Sequence, residues 1–318
     1  MKYFLTGGAG FIGSHIAEKL LKETSTQKVY IYDNFSSSTE HNLDFISDTR
    51  LIIHQGDLCD REKLASALNE DVDIVFHLAA NPDISKAESN PSLDFEQGTI
   101  LTNNLLEVIR LKKIKRIIYT SGSGVYGEKD IDFDENYGPL IPISPYAANK
   151  IASEALISSY SHMFNICAVV FRFANVVGKR QTHGVGYDFI HKLNDNKYKL
   201  DVLGDGNQCK SYIHIDDVIK GIFAVIDSDN HTLYDVYNIT TNDSITVKDI
   251  AKIAIEVNGM TDTEINYLGG DRGWNGDVPK IKFNSNKIRN RYKWHNRYSS
   301  IDAIKKSLRE ILEDIKNG

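Results

Sequence analysis

Short β-branched runs at residues 3–6, 29–33, 51–55, 74–78, 116–121 and 167–173 punctuate the first half of the chain. Most are apolar throughout rather than alternating, as expected of strands in a parallel sheet covered on both faces. Between them apolar residues return at helical spacing, at Ile12, Ile16 and Leu20 and again at Leu101, Leu105 and Val108. The alternation predicts an α/β fold, a doubly wound parallel sheet with right-handed crossovers. After about residue 175 the pattern changes. Stretches 178–186 and 203–208 are Gly-rich and polar, and 269–276 reads as a loop carrying Arg272 and Trp274. Helical patterns follow at 247–257 and 301–315, and 234–238 reads as a strand returning to the second domain. The expected division is a domain over 1–175, with a returning segment near 213–240, and a second, smaller α/β domain over 176–318.

Composition narrows the class. Of the 318 residues 41% are hydrophobic and 25% charged, which suffices for a substantial core and, by length, about two domains. With a net charge of −6, no overall basic field draws the chain to nucleic acid or to an anionic membrane. Apolar runs such as 166–171 fall far short of a bilayer span. Met1-Lys2 leads directly into the first run, leaving no room for a signal peptide. Cys59, Cys167 and Cys209 form neither a CxxC pair nor a disulfide framework, so the expected location is the cytoplasm. His54, His77, His183 and His214 show no metal-ligand spacing, and no metal site is expected. His183, in a Gly-rich loop, suits either contact with a substrate or a plain surface loop.

The chemistry concentrates in a few motifs. Thr6-Gly7-Gly8-Ala9-Gly10-Phe11-Ile12-Gly13 follows the first run and opens the first helical pattern. In that context glycines bring backbone N–H groups up to a pyrophosphate, with the positive end of a helix behind them. Asp33 ends the second run twenty positions after Gly13; a carboxylate there accepts from a free ribose hydroxyl and repels a 2′-phosphate. The following Asn34-Phe35-Ser36-Ser37 offers no cation to that phosphate, so NAD is favoured over NADP. Asp57, followed by Leu58, suits either an acceptor for the adenine amino group or an N-cap for a helix over 61–68. Leu78-Ala79-Ala80 closes the fourth run with residues that let a cofactor pass close over the sheet edge, or that serve packing alone. Tyr146-Ala147-Ala148-Asn149-Lys150 places a phenol and an ammonium on one helix face. A phenol with a pKa of about 10 is a poor base at neutral pH, but an adjacent ammonium and a positive nicotinamide favour its phenolate.

These motifs are joined by Ser121-Gly122-Ser123-Gly124-Val125-Tyr126-Gly127, Arg172-Phe173-Ala174-Asn175-Val176-Val177-Gly178, Lys210-Ser211-Tyr212-Ile213-His214-Ile215-Asp216-Asp217 and Gly270-Asp271-Arg272-Gly273. The set resembles the extended short-chain dehydrogenase/reductases nearly end to end. Within them it is most similar to nucleotide-sugar epimerases, in particular UDP-glucose 4-epimerases of archaeal type. The resemblance implies a Rossmann domain holding NAD through Gly7, Gly10, Phe11, Ile12, Gly13, Asp33, Asn34, Phe35, Ser36, Ser37, Asp57, Leu58, Leu78, Ala79, Ala80, Tyr146 and Lys150, and a UDP-sugar held by the second domain. Tyr146 would take the proton of the sugar 4-hydroxyl as a hydride passes to NAD; the 4-keto sugar would rotate, and the hydride would return to its other face. Lys150 would bind the nicotinamide ribose and lower the Tyr146 pKa.

The customary Ser/Thr position holds Gly122, so the hydrogen bond to the ketone oxygen is assigned to Ser121, with Ser123 beside it. Asn175, Lys210 and Arg272 would meet the diphosphate or its nucleoside. Lys210 stands where an Arg is customary, keeping charge without the fork. Gly98 stands where an asparagine is often seen four residues before Thr102, which weakens one cofactor contact. In such enzymes helices like 101–111 and 146–162 commonly build a homodimer interface. Three readings compete. A 4,6-dehydratase or a UDP-glucuronate decarboxylase needs acids where Ser123 and Gly124 stand; UDP-glucuronate 4-epimerisation fits the same motifs; an NAD-binding sensor or scaffold would usually lack the Tyr or the Lys retained here.

Overall fold

Seven strands build one sheet: β1 (Lys2–Thr6), β2 (Lys28–Asp33), β3 (Leu51–Gln55), β4 (Ile74–His77), β5 (Arg116–Gly122), β6 (Cys167–Phe173) and β7 (Tyr234–Ile239). The computed structural model from which this is read describes residues 1–38, 42–81, 84–228 and 232–317. The strand order is β7-β6-β5-β4-β1-β2-β3. Ladders β1–β2, β1–β4, β2–β3 and β4–β5 are parallel. The N–H of Ala168 donates to the Leu233 carbonyl and that of Ala174 to Ile239, a constant offset that makes β6 and β7 parallel too. The order reverses between β1 and β4. A doubly wound sheet binds its ligand in the crevice at such a switch point, beyond the carboxyl ends of the strands.

Contacts group the chain into two compact units. The first comprises Met1–Gly122, Pro145–Arg172 and Ser228–Tyr237. Its helices are α1 (Phe11–Lys22), α2 (Arg61–Ala67), α3 (Leu101–Leu111) and α4 (Pro145–Phe164). Phe4, Val75 and Ile117 from the strands and Leu105, Ile109 and Ile157 from α3 and α4 belong to one buried core. α4 opens on Pro145, which suits a first-turn position where no N–H partner exists. Its buried face carries Asn149, Lys150, Ser153 and Glu154, polar groups that a helix buries only when something inside receives them.

The second unit comprises Ser123–Ser144, Phe173–Asp227 and Asn238–Gly318. It contains α5 (Val185–Asp195), α6 (Ile215–Ile226), α7 (Val247–Val257), α8 (Asn286–Tyr292) and α9 (Ser300–Asn317). Leu193, Ile250, Ala254, Ile304 and Leu308 of α5, α7 and α9 share its core. Short two-stranded ladders complete it, among them Asn175–Val177 with Tyr212–His214 and Cys209–Lys210 with Ile245–Thr246.

Three expectations change. The second unit is nearly equal in size to the first rather than smaller, because residues 123–144 leave the sheet and join it. The segment at 234–238 belongs to the seven-stranded sheet through its pairing with β6, and contacts place only Ser228–Tyr237 of the 213–240 stretch with the first unit. Residues 229–231 of that stretch lie outside the described residues. Finally, 185–195 is a helix where a Gly-rich loop was expected to run to residue 186.

Candidate active site

In the first unit, the switch point is lined by backbone. Gly7 has φ of +67°, and a Cβ there would stand 2.7 Å from the Ala79 nitrogen, so β1 and β4 close on each other only with glycine present. A Cβ on Gly13 would stand 2.6 Å from the Gly7 carbonyl, which likewise requires glycine where α1 packs on the loop. α1 begins after Gly10, whose missing side chain offers no cap to the first N–H groups of the helix. Phe11 and Ile12, half-buried, carry those groups. Open N–H groups, a close backbone approach and a helix dipole together fit a pyrophosphate.

Asp33 at the end of β2 is buried and already engaged: its carboxylate accepts from the Ala9 N–H at 3.0 Å, the Phe35 N–H at 2.9 Å and the Ser38 hydroxyl at 3.0 Å. It thereby ties the glycine loop to the β2 exit. Asn34 donates to Asp57 at 2.8 Å, and Ser36 and Ser37 are exposed beside them. The helix over 61–67 is capped by Asp60, which accepts from the Lys63 N–H, so the N-cap alternative for Asp57 falls away. Leu58 is buried in the core, and Leu78, Ala79 and Ala80 are half-buried past β4.

Lys150 is 4% exposed, and its ammonium donates to the Thr120 carbonyl at 2.9 Å, at the carboxyl end of β5. It stands 5.0 Å from the centre of the Tyr119 ring and 5.5 Å from that of Tyr146. Burial pushes its pKa down to about 8, against the opposing charges of Glu154 and Asp94. Next in the chain to Thr120, the Ser121 hydroxyl is buried and has no hydrogen-bond partner. A side chain at Gly122 would enter open space.

Tyr146 is half-buried. Burial raises its pKa to about 12 and the charge of Asp94 adds to this, so the chain by itself holds the phenol protonated. The expectation of an acidified phenol joined the i,i+4 ammonium to a positive nicotinamide; in the chain alone, burial and Asp94 outweigh the ammonium. Asp94 itself is 1% exposed; one carboxylate oxygen accepts from Asn81 at 3.0 Å and the other has no partner. A row of buried hydroxyls and an imidazole backs the site. Thr6 and Thr102 each sit 2.9 Å from a His77 ring nitrogen, and Thr102 donates to Ser153 at 3.0 Å. Burial drives the His77 pKa down to about 3, and the Lys150 charge works the same way. One turn beyond Lys150, Glu154 receives the Arg172 guanidinium at 2.6 and 3.1 Å, both side chains buried.

The second unit holds the remaining expected residues. Ser123 is half-buried in a short turn after β5. Asn175 donates through backbone and side chain to the Ser211 carbonyl, each at 3.2 Å. Lys210 is ion-paired with Asp277, and Arg272 reaches the Asp277 carbonyl at 3.4 Å, so these two cations share a neighbourhood. Arg272 also meets Glu128 at 3.3 Å and Asp271 at 3.2 Å. His183 is exposed. Asp94, Glu154, Glu128 and Asp277 were not singled out from sequence. Only Glu154, four residues after Lys150, had a local signal. Among the described residues no group of three or more His, Cys, Asp or Glu is arranged to hold a metal, and no helix is long and apolar enough to cross a membrane.

A parallel sheet with a glycine cradle at its switch point and a buried Tyr/Lys helix face defines a dinucleotide-dependent enzyme of the Rossmann class. The NAD dependent epimerase/dehydratase family model matches residues 3–240, and the chain belongs to that family. A putative UDP-glucose 4-epimerase of Methanocaldococcus jannaschii is 32% identical over 255 residues, covering 78% of this chain and 80% of that protein. The UDP-glucuronic acid 4-epimerase of Bacillus cereus, solved with UDP-glucuronic acid and NAD, superposes with a TM-score of 0.87 at 28% identity, over 98% of this chain and 99% of that one. DesIV, a dTDP-glucose 4,6-dehydratase of Streptomyces venezuelae solved with NAD, superposes with a TM-score of 0.91 at 26% identity, over 99% and 98%. The chain is therefore an NAD-dependent enzyme of the nucleotide-sugar epimerase and dehydratase kind.

Proposed function

We propose that the enzyme epimerises a UDP-sugar at C4, of the UDP-glucose/UDP-galactose type, through a transient 4-keto sugar. The observation that carries this is the Tyr146–Lys150 face of α4, with Lys150 anchored to the Thr120 carbonyl near the end of β5. NAD, held by the glycine loop, Asp33 and Lys150, would accept the C4 hydride and return it to the other face, and its positive charge would favour the Tyr146 phenolate. Tyr146 then takes the proton of the 4-hydroxyl and later returns it. Lys150 holds the nicotinamide ribose, and the Thr120 carbonyl fixes where its ammonium points.

Ser121 donates to the oxygen as it becomes a ketone; its buried, unpartnered hydroxyl supports this choice, with Ser123 as the neighbour also assigned to the role. In the second unit Asn175, Lys210 and Arg272 are assigned the diphosphate or its nucleoside. The slots where a dehydratase or decarboxylase needs its second acid hold Ser123 and Gly124, which favours plain epimerisation. We further propose a cytoplasmic homodimer; Leu111 of α3 and Met163 of α4, 57% and 75% exposed, would be covered in it.

The test incubates the purified enzyme with UDP-glucose, UDP-N-acetylglucosamine and UDP-glucuronate, without added cofactor, and separates the products. UDP-galactose formed from UDP-glucose with no net NADH is the expected result. Epimerisation of UDP-glucuronate alone would move the reading to the uronate, a 4-keto-6-deoxy product would make the enzyme a dehydratase, and NAD binding without turnover would make it a sensor.

A further inference from the structure

The helix that carries the Tyr/Lys pair does not rest on α3 alone. It meets the segment that leads into α3, residues Phe95–Ile100, which is kinked where Gln97 leaves helical geometry at φ −90° and ψ 17°. Gly98 is buried within it. A Cβ on Gly98 would stand 2.0 Å from the Asn149 Nδ2 and 2.1 Å from its Oδ1, closer than any real contact. The Asn149 carboxamide thus occupies the volume that a side chain at 98 would need. It is 5% exposed, and the Thr99 hydroxyl donates to its Oδ1 at 2.8 Å.

We propose that Asn149 is a positioning residue for the Tyr146–Lys150 pair, its carboxamide supplying from α4 the wedge that position 98 does not provide. The inference rests on the functional reading above. Asn149 lies three residues after Tyr146 and immediately before Lys150, so whatever fixes its side chain fixes the rotation and height of that stretch of α4. The segment it grips begins at Asp94, the carboxylate with an unpartnered buried oxygen whose charge acts on both Tyr146 and Lys150. One contact therefore sets the distance between the acid and the pair it influences. A buried apolar wedge would fill the same space but would leave the Thr99 hydroxyl without its acceptor, at a cost that burial makes real. The resemblance described above places an asparagine at position 98; here the carboxamide stands on the opposite side of the same contact.

The exchange is testable because it predicts opposite signs in two backgrounds. The variants are Asn149→Ser, Gly98→Asn, their combination, and Tyr146→Phe as a control, each as the full-length enzyme. Measured are UDP-glucose turnover, the NAD dissociation constant by calorimetry, and the thermal midpoint. Asn149→Ser is expected to lower kcat at least about tenfold with KM changed less than about twofold, and to weaken NAD binding about tenfold. Gly98→Asn is expected to lower the thermal midpoint by several degrees with Asn149 in place. In the combined variant, where Asn149→Ser makes room, it is expected to restore kcat and NAD affinity to within about threefold of the parent. The proposal is overturned if Asn149→Ser leaves both kcat and NAD affinity unchanged, or if the double variant is no better than the worse single one. If Tyr146→Phe keeps full turnover, the functional reading is what has failed; the NAD affinities and midpoints still decide the exchange.

Discussion

The candidate site residues of the two units hold their charges in opposite ways. In the first, Lys150, Asp94 and Tyr146 lie inside or half inside the protein, with ionisations pulled from their usual values by burial and with hydrogen-bonding capacity left open at Asp94 and Ser121. In the second, Lys210 and Arg272 remain half-exposed, each held by carboxylates of its own unit. The first arrangement fixes groups before any ligand arrives, which is what proton transfer in a transition state rewards. The second keeps its cations in partly exposed pairs, which under the proposed function would exchange carboxylate oxygens for those of a diphosphate. Under the proposed function, fixed chemistry and exchangeable binding are separated along the chain.

The sharpest break of this contrast is Tyr146→Phe. Removing one half-buried hydroxyl should cost about 10²- to 10⁴-fold in kcat while leaving the thermal midpoint within a degree or two. A residual rate within threefold of the parent would mean that another group moves the proton. Next in size is Arg172→Leu, which strands the Glu154 carboxylate inside the first unit. Urea unfolding should show a loss of about 3–5 kcal/mol, since an uncompensated buried charge is far costlier than an exposed one; a loss below about 1 kcal/mol would show that water reaches the pair.

Acid sharpens the same comparison. His77 titrates near pH 3 in the folded protein and about 6.5 when unfolded. Between those values the unfolded chain binds the extra proton, so stability is complete above about pH 6.5 and is lost as pH falls toward 3. At pH 4.5 the loss from this residue alone should be about 2–3 kcal/mol, and His77→Gln should flatten that part of the urea-midpoint profile. An unchanged profile would remove His77 from the account.

The same division explains what was legible in advance. The glycine cradle could be read because its requirement is local: a positive φ at Gly7 and a close approach at Gly13 leave glycine as the residue that fits. The helix over 247–257 could be read because its apolar repeat is regular. The position of 234–239 could not, since a short strand looks alike wherever it pairs, and its partner β6 lies some 65 residues earlier. The ammonium at i+4 from Tyr146 is visible in the sequence, whereas the burial and the Asp94 charge that raise the phenol pKa in the chain by itself are not. Asp277 and Glu128 were missed for the same reason, standing 67 and 144 residues from the cations they hold.

The remaining tests fall on the exchangeable side. Lys210→Met removes one charged hydrogen bond of about 1.5–3 kcal/mol, so KM for the nucleotide sugar should rise about 10- to 100-fold with kcat largely kept. An equal fall in kcat would place Lys210 among the fixed groups instead. Glu128→Gln should act in the opposite direction and least of all. The Glu128 carboxylate competes for the Arg272 guanidinium at 3.3 Å in a solvent-exposed setting, where such pairs add little to stability and salt screens them. Removing its charge leaves Arg272 freer for a phosphate oxygen, so KM should fall about two- to threefold at low ionic strength. The gain should vanish near 0.5 M salt, where the screening length is only about 4 Å. A KM that rises instead, and stays risen in salt, would show that Glu128 positions Arg272 rather than competing for it, and the second unit would then be as preorganised as the first.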